Sequence, residues 1–136
     1  EGADARPAAR DAGSIGLAGV FRHRVVDEFI VQFGDPLTKE LPLSDPKIGT
    51  GGPGYTIPDE FHPNLSNVRG TIAMANSGPN TGGSQVFINL IDNTFLDYDK
   101  PPASSAHPVF GRVTSGMDIV DALEVGDVIE KVTIRQ

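Results

Sequence analysis

The chain has no cysteine and no tryptophan, only two methionines and two tyrosines, and no long apolar run. Without cysteine there is no disulfide, no thiolate nucleophile and no cysteine-based zinc site. A membrane-crossing helix needs about 18–20 consecutive apolar residues, so none is expected, and no membrane partner. Positive charge is scarce as well: 11 Lys+Arg stand against 18 Asp+Glu, a formal net charge of −7. Phosphate neutralisation needs clustered cations, which argues against nucleic acid as a partner. His23, His62 and His107 lie far apart with no paired ligand spacing, so neither a metal nor a cofactor is expected. There is no nucleophile elbow, no Walker loop and no strand-led dinucleotide fingerprint. The Gly-rich run 49–54 lacks the Lys-Ser/Thr that would follow in a phosphate cradle. Asn64-Leu65-Ser66 meets the glycosylation sequon, a pattern too short to carry weight.

What is present suits one small folded domain. The 136 residues are 38% hydrophobic, enough for an ordinary core. Glycine (16) and proline (11) together favour many turns and short strands over long helices. The sequence begins at Glu1 with no charged-then-apolar leader pattern, and reads as cytoplasmic.

Residues 1–19 are rich in Ala, Gly and Asp and read as a tail or degenerate helix, leaving 20–136 as the domain. Strand patterns follow at Val20–Val26, Phe29–Phe33, Thr71–Ala75, Gln85–Leu90 and Val109–Val113, and a terminal alternation runs over Val128–Ile134. Residues 36–54 hold four prolines and four glycines and read as a long excursion, a candidate wall of a site. Residues 76–84 are almost pure turn chemistry, and 93–97 suit a single helical turn. One helix is expected near residues 115–123, capped by Thr114 or Ser115. Several short strands with one helix predict a mainly β barrel or sandwich.

The carboxylates read as solvated loop residues, none flanked by groups that would raise its pKa. Four non-titrating or permanently charged polar residues stand out instead. Arg24, Gln32, Asn76 and Gln85 lie on or beside strands among apolar neighbours. Alternation puts Gln85, Phe87 and Asn89 on one face of their strand, a pocket half apolar and half hydrogen-bonding, and Val86, Ile88 and Leu90 on a core face. The plainer alternative makes Gln32 and Gln85 surface residues on a one-sided sheet.

Five blocks of sequence resemble one family. His23-Arg24-Val25-Val26 followed by Phe29-Ile30-Val31-Gln32-Phe33-Gly34-Asp35 is similar to the cyclophilin signature. Gly49–Phe61 resembles the next segment of bacterial and archaeal members. Gly70–Ile88, containing Met74-Ala75-Asn76-Ser77-Gly78-Pro79-Asn80-Thr81 and Gly83-Ser84-Gln85, resembles its most diagnostic stretch. Phe95-Leu96-Asp97 and His107–Val113 continue it in order. The resemblance covers roughly residues 20–134.

It implies a cyclophilin-like antiparallel β-barrel and peptidyl-prolyl cis-trans isomerase activity on proline-containing peptides and unfolded proteins. In that reading Arg24 is the catalytic residue. Phe29, Ile30, Phe87 and Leu96 grip the proline ring, and Phe95 and His107 form the rim. Gln32, Ala75, Asn76 and Gln85 hold the substrate backbone. Gly49, Ser77 and Thr81 line a second subsite for residues preceding the proline. Phe95 replaces a Trp found in many members, so cyclosporin is expected to bind weakly.

Two departures accompany the resemblance. Arg22 stands where the family has Phe before His-Arg, with Phe21 one place earlier. Only 22 residues precede His23, where the family has two strands and a helix. A barrel without its first two strands would expose sheet edges, so self-association is expected. The rival function is a proline-peptide-binding module with little catalysis.

Overall fold

The computed structural model describes residues 24–26, 28–100 and 106–135. The expected tail or degenerate helix at 1–19, the displaced Phe21 and the missing opening strands lie outside them. Five short strands are present: β1 (Arg24–Val26), β2 (Ile30–Phe33), β3 (Thr71–Met74), β4 (Val86–Asn89) and β5 (Val109–Arg112). They form one antiparallel sheet in the order β1-β2-β4-β3-β5. The last four each match a sequence-expected strand trimmed by one or more residues at its ends, and β1 is the described part of the expected Val20–Val26. Glu28, with φ of 56°, turns the chain between β1 and β2.

Register places the site before any side chain is considered. Arg24 pairs with Gln32, Gln32 with Phe87, Phe87 with Ala73 and Ala73 with Val109, one row across all five strands. Directly opposed residues in an antiparallel sheet share a face. On that face Ile30, Ala73, Phe87, Leu96 and Val109 pack as one buried cluster. On the opposite face Ile72, Met74, Val86, Ile88 and Phe110 pack as a second, covered by Ile57, Val113, Met117 and Val120. Both faces are therefore buried, and all four residues of β4 are interior. A one-sided sheet is ruled out over this region.

The helix α1 (Met117–Asp121) is the only α-helix among the described residues, and it is shorter than expected. Neither Thr114 nor Ser115 caps it. Gly116 does, at φ 85°, and its carbonyl accepts from the backbone N–H groups of Ile119 and Val120. A left-handed entry of this kind suits glycine, which has no Cβ to clash. The terminal strand at 128–134 is not formed: Val128 makes a single bridge and the following described residues are irregular. None of the five strands pairs with that segment, and an alternating pattern without a ladder partner does not make a strand.

The 36–54 excursion opens with a 3-10 turn at Pro36–Lys39 and continues as turns. It folds back so that Gly49–Pro53 face Gln32 and Gln85. On the other side, the 76–84 turn is tied to residues 57–59. Ile57 N–H donates to Gly82 O at 2.8 Å, and Asp59 and Asn80 exchange backbone-to-side-chain hydrogen bonds of 2.8 and 2.9 Å.

Candidate functional site

Phe87, 2% exposed, forms the floor of the apolar half of the site. Phe29, Leu65 and Ala75 pack half-buried against its cluster. A 3-10 turn at Thr94–Leu96 turns Leu96 inward and leaves Phe95 58% exposed. Phe95 stacks on Phe29 with ring centroids 6.2 Å apart. His107 closes another side, its ring edge-on to Phe87 at 5.4 Å. Its Nδ1 lies 3.0 Å from Met74 O. A carbonyl can only accept, so Nδ1 carries the proton and the neutral ring leaves Nε2 as an acceptor. Burial holds the His107 pKa below its usual 6.5, against the opposing pull of Met74 O and Asp59.

The polar half begins at Gln32. Its Nε2 donates to Gln85 Oε1 at 3.0 Å, and Gln85 Nε2 donates to Gly49 O at 2.9 Å and Gly51 O at 2.8 Å. The end of Gln85 facing two carbonyls must be its amino group, so the amide orientation is fixed. A cavity of about 460 Å³ opens beside this pair. Gln32, Gly49, Ala75, Asn76, Ser77, Thr81 and Gln85 all line it, with Thr50–Pro53, Tyr55, Thr56, Gly83 and Ser84. Asn76 Nδ2 donates to Ala106 O at 2.9 Å, and Thr81 Oγ1 accepts from Ser77 N–H at 2.9 Å and donates to Gly78 O at 2.8 Å. Those contacts leave the loop backbone fixed as the cavity rim.

Behind the apolar half lies a buried polar network that the sequence reading missed. Asn89, assigned from alternation to the pocket, is instead fully buried. Its Nδ2 donates to Asn67 Oδ1 and Thr71 Oγ1, at 3.1 and 3.0 Å, and its Oδ1 accepts from Asn93 Nδ2 at 2.9 Å. Asn93 Nδ2 also donates to Phe29 O, and Asn67 Nδ2 to His107 O, each at 3.1 Å. Asp97 Oδ1 accepts from the backbone and side chain of Asn67, and Asp97 Oδ2 from the Ser66 hydroxyl. Burial pushes the Asp97 pKa upward, but these donors and Lys100 outweigh it, and the net shift is down. Asp97 and Asp35 are both buried, which corrects the reading of the carboxylates as solvated. Each is interior because backbone N–H groups are aimed at it.

The expected residues thus fall into two adjoining groups. Phe29, Ile30, Phe87, Phe95, Leu96 and His107 surround the apolar floor. Gln32, Gly49, Ala75, Asn76, Ser77, Thr81 and Gln85 surround the cavity. Gln32 and Gln85 are hydrogen-bonded to each other, not independent surface amides. Arg24 stands at the end of the shared row by its backbone register. Among the described residues no three His, Asp or Glu side chains gather as a metal site.

Known proteins resemble this chain in both sequence and fold. The family described as cyclophilin type peptidyl-prolyl cis-trans isomerase/CLD matches residues 13–136. Peptidyl-prolyl cis-trans isomerase B of Streptomyces anulatus is 40% identical over 108 residues, covering 77% of this chain and 53% of that protein. A peptidyl-prolyl cis-trans isomerase of Helicobacter pylori is 39% identical over 117 residues, covering 84% of this chain and 62% of that protein. The chain therefore spans little more than half the length of these relatives. A Cryptosporidium parvum cyclophilin type isomerase, crystallised in the presence of the dipeptide Ala-Pro, superposes with a TM-score of 0.66 at 26% identity. That alignment covers 90% of this chain and 67% of the other.

Proposed function

Since the chain belongs to the cyclophilin-type peptidyl-prolyl cis-trans isomerase family, we propose that it catalyses rotation about X–Pro bonds in peptides and unfolded proteins. The reaction needs no nucleophile and no metal. Its barrier, about 18–20 kcal/mol, exists because the amide nitrogen shares its lone pair with the carbonyl. A catalyst must therefore favour the twisted amide over the planar one. A donor aimed at the proline nitrogen as it becomes pyramidal does this, because it takes up the lone pair that conjugation releases. A guanidinium suits the task, being permanently charged and presenting its N–H groups in a rigid fork. Lowering the barrier by about 4–7 kcal/mol would accelerate rotation roughly 10³–10⁵-fold.

The observation that supports this reading most is the row Arg24–Gln32–Phe87. It puts a cationic and a hydrogen-bonding residue in backbone register with the buried apolar Phe87. In the proposed complex the proline ring sits over Phe87, bounded by Phe29, Ile30 and Leu96, with His107 and Phe95 at the rim. Arg24 is the catalytic residue. Gln32, Ala75 and the Asn76 backbone hold the substrate chain. Gln85, whose amide is already engaged on three sides, acts first by orienting Gln32. Residues preceding the proline enter the cavity along Gly49, Ser77 and Thr81. The Ala-Pro dipeptide used with the Cryptosporidium relative is a ligand of the class this site would take.

A protease-coupled assay on an Ala-Pro peptide, paired with peptide binding, tests the proposal. Acceleration over the uncatalysed rate is expected, falling about 10²–10³-fold in Arg24→Ala while binding weakens far less. Binding without acceleration in the unaltered protein would overturn it in favour of a proline-peptide-binding module.

A further inference from the structure

We propose that Asp35 is a positioning residue for the substrate segment ahead of the proline, acting through the Gly49–Gly52 wall; the proposal rests on the isomerase reading above. Asp35 is fully buried, immediately after β2 and Gly34. Its carboxylate joins two segments 14 residues apart: Oδ1 accepts from Leu37 N–H at 2.8 Å and Oδ2 from Gly49 N–H at 2.5 Å. It does not line the cavity, so it touches no substrate. Its influence passes through the wall it holds. The carbonyls of Gly49 and Gly51 take both N–H bonds of Gln85, and Gln85 in turn accepts from Gln32.

The wall also rests directly on the carboxylate. A Cβ added to Gly51 would overlap Asp35 Oδ1 and crowd Leu37 Cγ. The glycine is required there by close approach, not by backbone conformation. A carboxylate supplies an acceptor to each N–H, whereas an asparagine would turn its own N–H₂ toward one of them. Asp35 therefore fixes how far Gly49–Gly52 stand from Ser77 and Thr81 across the cavity, and so how well an extended substrate is gripped.

The test compares two substrates in Asp35→Asn and the unaltered protein. One peptide has a single residue before proline, and the other has four. At a temperature where melting curves show both proteins folded, kcat and KM are measured for each. The expected result is a selective loss: KM for the longer peptide rises about tenfold with kcat nearly kept, and the shorter peptide is affected much less. Gly51→Ala, which displaces the same wall from the other side, should show the same selectivity, and serves if Asp35→Asn does not fold. Equal losses on both peptides, or no loss on either, overturn the positioning role while leaving the isomerase reading intact. An unaltered protein inactive on both peptides overturns that reading, and this proposal with it.

Discussion

His107 stands edge-on to Phe87, ring centroids 5.4 Å apart and planes at 83°, with its Nδ1 proton committed to Met74 O. This arrangement keeps an uncharged ring against the apolar floor. Burial lowers the His107 pKa below 6.5, partly offset by Met74 O and Asp59. The folded state then binds fewer protons here than the unfolded chain does, so stability is fully present above about pH 6.5 and declines as pH falls from there toward the folded pKa. Urea midpoints measured between pH 7.5 and 5.5 should show that decline, and His107→Asn should show less of it. A His107 resonance titrating above 6.5 would contradict the assignment.

The asparagine network carries the second prediction. Removing Asn89 leaves the buried Asn67 Oδ1 and one Asn93 N–H without their partner, while Thr71 Oγ1 keeps its bond to Val68 O. Each buried polar atom stranded in this way costs about 1–3 kcal/mol, so Asn89→Ala should lower the unfolding free energy by at least that amount. Asp97, whose pKa is held down in the fold, adds an acid dependence: its contribution is present above about pH 3.8 and is lost as pH falls through the folded pKa. Asp97→Asn should flatten the acid limb of the stability curve, which denaturant titration in acidic buffer would read.

Phe95 gives the third. Exposed and stacked on Phe29, it offers no hydrogen-bond donor at the pocket rim. Phe95→Trp adds an indole N–H, and one neutral hydrogen bond contributes about 0.5–1.5 kcal/mol. Cyclosporin affinity measured by calorimetry should rise about three- to tenfold. No gain would show that the rim does not meet the ligand.

The strands were legible because each rests on local pattern, whereas the residues of the two halves of the site came from the family resemblance and not from periodicity. Thr71–Met74, Val86–Asn89 and Val109–Arg112 alternate in ways that survive without knowledge of their neighbours, and the Pro/Gly excursion announced itself as a wall. What escaped depends on contacts made at long range. Asn89 and Phe87 share a face by alternation, yet only the packing of 62–69 and 93–97 over one end of β4 decides that Asn89 is interior. Asp35 and Asp97 look like ordinary loop carboxylates until residues 14 and 30 positions away point N–H groups at them. The 128–134 alternation failed for the converse reason, since periodicity cannot supply a pairing neighbour.

The central claim is that a guanidinium at position 24 speeds rotation of a bound X–Pro bond without being the main source of binding. Two-dimensional NMR exchange spectroscopy on an Ala-Pro peptide, with unaltered protein and Arg24→Ala, reads both quantities in the same samples. The account predicts cis-trans exchange cross-peaks with the unaltered protein, their near loss in Arg24→Ala, and peptide shift changes that persist in both. Exchange cross-peaks of equal intensity in the two samples would contradict it.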